Sequence, residues 1–220
     1  MNFLKNIRLL FIFLLIPLTG HGNSREKYLL NNDWGFSYGY DVKWDNWPRV
    51  DLPHCWNKED AMNGNINYYR GYGFYEKKFF AEKKWIGKRL FLKFDGANTI
   101  SNVFINDNFV CEHRGGYTAF TVEITDKIKF GEDNILQVRV SNSLEMDVMP
   151  LVGDFTFYCG IYRDVNLILT DEICISPLDF GSDGVYLVQN KVSAKVADVT
   201  AKVLISNGDK VAKNIIVKVD

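Results

Sequence analysis

The sequence has almost no net charge and few cysteines, and both shortages argue against whole classes of protein. Its 26 basic and 27 acidic residues give a formal charge of −1, which argues against nucleic-acid binding through a basic surface. The four cysteines, Cys55, Cys111, Cys159 and Cys174, show no CxxC spacing, so a zinc site is not indicated. They are too few for a disulfide scaffold, and buried free thiols and three possible disulfide pairings both stay open.

No internal repeat, low-complexity segment or convincing amphipathic helix is present. The 220 residues are enough for one sandwich domain and part of another. Apolar residues make up 47% and aromatic residues 15% of the chain. The first value allows a substantial core, and the second favours an all-β domain or a carbohydrate binder. Each individual Trp or Tyr is still more often a core residue than a sugar platform.

The first 22 residues have the pattern of a secretory signal peptide. Lys5 and Arg8 form the positive region, and an apolar run from Leu9 to Leu18 follows before Gly20-His21-Gly22, whose glycines are the small residues at the cleavage positions. The run is short for a membrane span, and no cysteine near the cleavage point indicates a lipid anchor. We therefore expect an exported protein, periplasmic or extracellular, with no membrane attachment after cleavage and a net charge of −3 (24 basic, 27 acidic). An uncleaved anchor is the alternative.

The stretch from Leu90 to Ile124 alternates between apolar and polar residues in three short runs. Leu90–Phe94 is predicted as the first strand and Ser101–Ile105 as the second. Asn106-Asp107-Asn108 is predicted as the turn to an antiparallel return, because Asn and Asp tolerate left-handed backbone. Gly115-Gly116 then breaks the sheet, and the chain from Tyr117 is expected to re-enter it.

About eight or nine strands are predicted up to Thr170, at the spacing typical of a jelly roll or sandwich. From Asp171 the aromatic residues thin out. Val192–Ile205 is predicted as a strand, the residues 206–209 as a turn, and Ile215–Val219 as the start of another strand. We therefore expect two domains, one over 27–170 and an incomplete sandwich over 178–220.

Three stretches together resemble the sugar-binding domain of glycoside hydrolase family 2. They are FDGANTISNVFINDNFVCEHRGGYTAF, LPHCWNKEDAMNGNINYYRGYGFYEKKF and GDFTFYCGIYRDVNLILT. The family hairpin usually turns on Asn-Gly, whereas this one turns on Asn106-Asp107. Cys159-Gly160 departs from the family's usual Gly-Gly or Ser-Gly. The resemblance implies an all-β protein in which a jelly-roll β-sandwich, galactose-binding-domain-like, precedes a truncated immunoglobulin-like β-sandwich.

The resemblance also implies retaining hydrolysis of terminal β-glycosides, most like a β-galactosidase. In the family two glutamates, about 5–5.5 Å apart in retaining enzymes, lie in a TIM barrel that follows these domains. No catalytic residue is therefore assigned to this chain, which should be inactive alone. Its expected partners are a β-galactoside-like carbohydrate and that C-terminal barrel. The alternatives are β-glucuronidase or β-mannosidase specificity, a stand-alone carbohydrate-binding module, and a structural or adhesive sandwich.

Three residues are predicted to reach the sugar from loops. Asp154 matches the family aspartate upstream of the Gly-Ile-(Tyr/Phe)-Arg-Asp-Val motif, which helps to hold the sugar, in some members through sodium. Asn67 is the last residue of a polar loop predicted over 58–67, and Arg70 belongs to the Tyr69-Arg70-Gly71 stretch that closes this loop. No cofactor and no metal site is assigned to this chain, although sodium or magnesium is possible in the full-length enzyme.

Four further features of the motifs are predicted to be structural. His54 is expected to be hydrogen-bonded because no nucleophile accompanies it, and Trp56 is expected in the core. Arg163-Asp164 is expected to be an ion pair or a loop anchor. Gly115-Gly116-Tyr117 is predicted as a packing corner in which the glycines allow close backbone approach and Tyr117 fills the gap.

Overall fold

The computed structural model describes residues 25–39, 46–65, 67–149, 151, 153 and 155–218. The predicted signal peptide, 1–22, and the predicted sugar ligand Asp154 lie outside these residues. Among the helices described, none is both long and apolar enough to cross a membrane.

The regular secondary structure of the described residues is almost entirely β-strand. The strands and the single α-helix are β1 Glu26–Leu29, β2 Trp34–Tyr38, β3 Arg49–Val50, α1 Lys58–Met62, β4 Tyr72–Phe80, β5 Arg89–Phe94, β6 Ile100–Ile105, β7 Asn108–Arg114, β8 Phe120–Glu123, β9 Asp133–Ser141, β10 Val165–Thr170, β11 Ile173–Ile175, β12 Val185–Val192, β13 Ala197–Val203 and β14 Ile205–Asn207. Two 3₁₀ turns lie at Lys83–Trp85 and Thr125–Lys127.

Two antiparallel sheets form the first sandwich. The larger has the order β3-β2-β4-β9-β6-β7, and the smaller has the order β1-β10-β5-β8. Alternation along β9 shows how the core is built: Leu136, Val138 and Val140 are fully buried, whereas Asp133 and Ile135 are exposed. The same core contains the inward side chains of β5 and β10 from the smaller sheet. The prediction of an all-β sandwich is confirmed.

The hairpin between β6 and β7 turns where the sequence predicts. Asn106 and Asp107 have positive φ angles of 49° and 64°, the backbone that a tight two-residue hairpin turn requires. The Asn106 amide donates to Oδ1 of Asn134 at 2.8 Å and accepts from the Ile135 backbone N–H at 3.0 Å. Asn106 therefore forms the turn and also anchors it to β9 through its side chain.

The expectation that the chain re-enters the same sheet after Gly115-Gly116 is wrong. The hairpin β6–β7 belongs to the larger sheet, whereas β8 pairs with β5 in the smaller one. The glycine corner thus carries the chain across the sandwich. Alternation cannot reveal this crossing, because the apolar face of a strand points to the same core from either sheet.

The polar loop predicted over 58–67 contains one helical turn, α1. Glu59 and Asp60 occupy its first turn, where carboxylates interact favourably with the exposed backbone N–H groups. Gly64 follows it with a φ of 66°. The remainder of the described loop is irregular, as predicted.

The chain after β10 covers the outer face of the smaller sheet. Phe91 and Ile168 point away from the core yet are 0% and 3% exposed. Nζ of Lys93 lies 3.9 Å from Oδ1 of Asp183, and the Arg89 guanidinium donates to the Ser206 hydroxyl at 2.8 Å. This covering layer explains why β10 is buried at every position.

Two pairs of strands organise the later segment, β11 with β14 and β12 with β13. The predicted strand over Val192–Ile205 is divided, since Val192 ends β12 and a turn closed by Ser193 and Val196 intervenes at 2.8 Å. Two residues of the predicted turn over 206–209 extend β14 instead. Of the strand predicted over Ile215–Val219, the described residues 215–218 form none, and Val219 lies outside the described part.

Candidate functional site

The predicted sugar-binding residues come from two long loops, 53–71 and 142–163, which we call the rim. Buried amides tie the two loops together. Asn57, 1% exposed, donates to the Phe157 carbonyl at 2.8 Å. Asn142 accepts from the Gly71 N–H at 2.7 Å and donates to the Tyr69 carbonyl at 3.0 Å. Each amide satisfies backbone groups that the loops would otherwise bury unpaired, so these contacts hold the described parts of the two loops together.

Arg70 lies on an aromatic floor in the rim. Its guanidinium donates to the Tyr68 hydroxyl at 2.8 Å and stands 5.0 Å from the Tyr68 ring and 5.8 Å from the Phe157 ring. Both rings are buried, whereas Arg70 is exposed. A guanidinium has five N–H donors, and among the described residues the Tyr68 hydroxyl is the one acceptor of Arg70.

Asn67 is exposed, and its backbone N–H is held by the Asn65 side chain at 3.0 Å. Among the described residues no contact joins Asn67 to Arg70. Asp154 lies outside the described part, but its neighbour Gly153 packs on the Phe157 ring, where an added Cβ would stand 2.9 Å from Cζ. The roles predicted for Asp154, Arg70 and Asn67 stay predictions.

His54 has the structural role predicted for it. Its Nδ1 lies 2.9 Å from the Tyr75 hydroxyl, which also accepts the Ile161 N–H at 3.4 Å. Burial, with a smaller contribution from Lys58, lowers the pKa of His54 to about 4. The hydrogen bond between the neutral imidazole and the buried Tyr75 hydroxyl holds the 53–71 loop against β4. Trp56 packs, partly buried, against the core.

All four cysteines are free thiols, so the free-thiol alternative is the one the structure shows. The Cys55 thiol donates to Oδ1 of Asn57 at 2.8 Å, and Asn142 donates to Sγ of Cys159 at 2.7 Å. Burial raises the pKa of Cys111 to about 11 and that of Cys159 to about 12.

Arg163 and Asp164 do not act as one pair. Asp164 accepts from the Asn31 amide at 2.8 Å, and the Arg163 guanidinium stands 5.7 Å from the Tyr162 ring. The loop-anchor interpretation is therefore confirmed for Asp164.

The glycine corner and its tyrosine behave differently. A Cβ on Gly116 would stand 2.5 Å from Nδ2 of Asn98, so close backbone approach is confirmed. Tyr117, however, is 47% exposed and fills no interior gap. It lies near Tyr162, whose hydroxyl donates to the Gly116 carbonyl at 2.6 Å and whose ring stacks on the exposed Tyr158 at 5.3 Å.

This group of tyrosines, Tyr117, Tyr158 and Tyr162, was not predicted as part of the site. The available sequence signal was limited to aromatic residues in stretches without strand alternation, and loops often carry binding residues. Only the fold shows that the glycine corner and the 142–163 loop meet at the same place.

The described residues hold no group of three His, Cys, Asp or Glu side chains placed to bind a metal ion. Asp154, whose counterpart acts through sodium in some family members, lies outside the described part, and the magnesium considered for the full-length enzyme was assigned to no residue. The described part of the rim therefore offers hydrogen-bond donors, an exposed guanidinium and aromatic faces. Such groups can bind a ligand.

Comparison with known proteins places this arrangement in a family. The family described as glycosyl hydrolases family 2, sugar binding domain, matches residues 31–171. A β-glucuronidase of Bacteroides fragilis is 55% identical over 197 residues, covering 90% of this chain and 28% of the relative. A β-galactosidase of Thermoanaerobacter pseudethanolicus is 30% identical over 186 residues, covering 80% of this chain and 24% of the relative.

Among solved structures, Bacteroides uniformis β-glucuronidase 2, bound covalently to cyclophellitol-6-carboxylate aziridine, superposes with a TM-score of 0.75. It is 33% identical, and the match covers 81% of this chain and 22% of that one. The chain thus spans about a quarter of the length of the relatives it matches. The matched motifs, the two-sheet sandwich and these likenesses agree: the chain belongs to glycoside hydrolase family 2 and carries its N-terminal sugar-binding domain.

Proposed function

We propose that this chain is the non-catalytic N-terminal part of an exported enzyme that hydrolyses terminal β-glucuronides. The observation that carries the specificity is the 55% identity to a β-glucuronidase over 90% of the chain. The β-galactosidase specificity expected from the motifs has weaker support, since the β-galactosidase relative is 30% identical. It is retained as the second candidate.

The rim supports a role beside the sugar. A glucuronide differs from a galactoside in carrying a carboxylate, and guanidinium groups bind carboxylates with charge-assisted hydrogen bonds. Arg70 is an exposed guanidinium oriented by Tyr68 and Phe157. A barrel closing over the rim would exclude water there and strengthen such bonds.

Catalysis belongs to the proposed barrel and not to this chain. The 220-residue chain alone should therefore release no product from aryl β-glycosides. Turnover by the purified chain that disappears on replacement of a single Asp or Glu would refute this assignment.

Specificity is tested by expressing the uninterrupted reading frame that contains this chain and assaying aryl β-glucuronide beside aryl β-galactoside. We expect kcat/KM for the glucuronide to be higher by at least about 100-fold, because a site built for a carboxylate leaves charged groups unpaired when that carboxylate is missing. The reverse preference would support the β-galactosidase candidate.

Asp154 and Asp147 make a matched pair for testing the rim. Asp154→Asn should lower activity and leave thermal stability nearly unchanged if the carboxylate holds the sugar. Asp147→Asn is the control in the same loop, because Asp147 pairs with Arg114 at 2.7 Å and should leave activity intact. A stability loss of several kcal/mol with normal activity for Asp154→Asn would contradict the role.

Export is proposed from the sequence of residues 1–22. Mass spectrometry of the protein recovered from the extracytoplasmic fraction should show cleavage after the small residues at 20–22. An intact N-terminus on cytoplasmic protein would contradict it.

A further inference from the structure

Two segments of the rim, 54–57 and 157–161, run antiparallel and are joined by two hydrogen bonds. The His54 N–H donates to the Ile161 carbonyl at 2.8 Å. Further along, the Asn57 amide donates to the Phe157 carbonyl at 2.8 Å. The first segment advances from 54 to 57 while the second retreats from 161 to 157. One cysteine of each segment lies between these two hydrogen bonds.

The two cysteines are neighbours across this gap. Sγ of Cys55 accepts the Cys159 N–H at 3.4 Å, although the two residues are 104 positions apart in sequence. The backbones are close as well, since a Cβ added to Gly160 would stand 2.9 Å from the His54 carbonyl oxygen. Sγ of Cys55 thus already lies beside the Cys159 backbone, and a disulfide would need a Cα separation of about 4.4–6.8 Å.

We propose that Cys55 and Cys159 are a disulfide-forming pair that cross-links the two rim loops when the protein meets a disulfide oxidant such as oxidised glutathione. The link would join the segment leading into α1 with the segment that carries Phe157. Because Phe157 is part of the floor under Arg70, the cross-link would fix the rim where binding is proposed. The proposal concerns this chain's own thiols and does not depend on which glycoside is hydrolysed.

Exposure sets the order of the chemical steps. Cys55 is half-buried, whereas Cys159 is 0% exposed, so the Cys55 thiolate attacks oxidised glutathione first and displaces one glutathione thiolate. The Cys159 thiol then loses its proton, attacks the Cys55 sulfur and expels the second glutathione. Two protein thiols become one disulfide, and one oxidised glutathione becomes two reduced molecules.

The second step should be slow near neutral pH. Burial raises the pKa of Cys159 to about 12, so little of the attacking thiolate is present. Asn142 donates to that sulfur at 2.7 Å and helps to stabilise the thiolate when it forms. The rate of ring closure should therefore rise with pH above neutrality, and the mixed disulfide at Cys55 should be visible as an intermediate.

The test is peptide mapping of the full chain after equilibration with oxidised glutathione and alkylation of the remaining thiols. We expect one linked peptide, Cys55 to Cys159, with Cys111 and Cys174 alkylated. The oxidised protein should also unfold several degrees higher than the reduced one, because the bond closes a loop of more than a hundred residues. Addition of dithiothreitol should reverse the shift.

Three variants control this result. Cys55→Ser and Cys159→Ser should each lose the linked peptide and the oxidation-dependent rise in Tm, whereas Cys111→Ser should keep both. The absence of a Cys55–Cys159 peptide, a link through any other pair, or intermolecular dimers through Cys55 would overturn the proposal. The mapping on the unaltered chain decides the question even where a variant does not fold.

Discussion

Two regions of this chain have similar strand sequences and opposite surroundings. β10 in the first sandwich is buried at all six positions, whereas β12 in the later hairpin is exposed at seven of its eight. Leu187 and Val192 of β12 are 69% and 61% exposed. The difference shows that an apolar strand becomes core only where a second layer covers it, since a sheet buries a face by packing on another element.

The largest expected effect comes from replacing one leucine in each region. Leu92→Ala should lower the free energy of unfolding by about 3–5 kcal/mol, because Leu92 is fully buried in the sandwich core. Leu187→Ala should change it by less than about 0.5 kcal/mol, since little apolar surface leaves a packed environment. Denaturant titration measures both, and comparable losses would mean that the β12–β13 hairpin is buried in solution.

Arg89 tests the junction between the two regions. It is 6% exposed, donates to both carboxylate oxygens of Glu123 at 3.0 and 2.6 Å, and reaches Ser206 in β14 at 2.8 Å. Arg89→Ala should cost about 2–3 kcal/mol, below the value for a wholly buried pair because Glu123 is partly exposed.

Hydrogen exchange distinguishes a local opening of the junction between the two regions from a general loss of stability. Amide exchange in β14 should accelerate more in Arg89→Ala than exchange in β9. Arg139→Ala is the control, because Arg139 is exposed on the outer face of the larger sheet, and it should leave β14 unchanged. Uniform acceleration in Arg89→Ala would argue that Arg89 does not hold the later segment.

A smaller effect concerns pH and the rim. The folded state lowers the pKa of His54 from an ordinary 6.5 to about 4, chiefly by burial. Stability should therefore be complete above pH 6.5 and fall as pH drops towards 4, because the unfolded state binds the proton more tightly. After allowance for partial exposure, the loss is on the order of 1–2 kcal/mol.

His54→Gln is the matched variant, since a glutamine can still accept from Tyr75 without titrating. Unfolding free energies measured between pH 4 and 7 should be flatter for the variant than for the parent. Identical slopes would remove His54 as the source of this pH dependence.

The smallest expected change is a gain at the β6–β7 turn. Asp107 has a φ of 64°, which costs a residue with a side chain about 1 kcal/mol and glycine little. Asp107→Gly should raise stability by about 0.5 kcal/mol, whereas Asn108→Gly, in β7, should lower it by about 0.5–1 kcal/mol. Thermal unfolding of both variants checks the contrast.

Local patterns predicted the features that depend on neighbours in sequence. The Asn106-Asp107 turn, the alternation of β9 and the close approach at Gly116 each follow from the conformations or sizes of a few adjacent residues. The exposure of Tyr117 was missed, and so was the passage of β8 into the smaller sheet. Both depend on what lies across the sandwich, which periodicity does not contain.

The candidate site likewise has features that the sequence predicted and features that only the folded structure shows. The motifs predicted rim positions for Arg70 and Asn67, and the structure gives Arg70 an aromatic floor that includes Phe157, 87 positions away. The prediction for Asp154 stands on its motif alone. The tyrosines at the glycine corner could not be grouped beforehand, because Tyr117 and Tyr158 come from loops that meet only in the folded chain.

The sequence by itself determined the all-β class, the hairpin turn and the family, because composition, alternation and motif spacing are properties of the chain alone. Tertiary structure decided that Phe91 and Ile168 are covered from outside, that Arg89 fastens the later segment, and that Sγ of Cys55 lies beside the Cys159 backbone. These are long-range contacts, and their geometry is set by the packing of two sheets and the loops that join them.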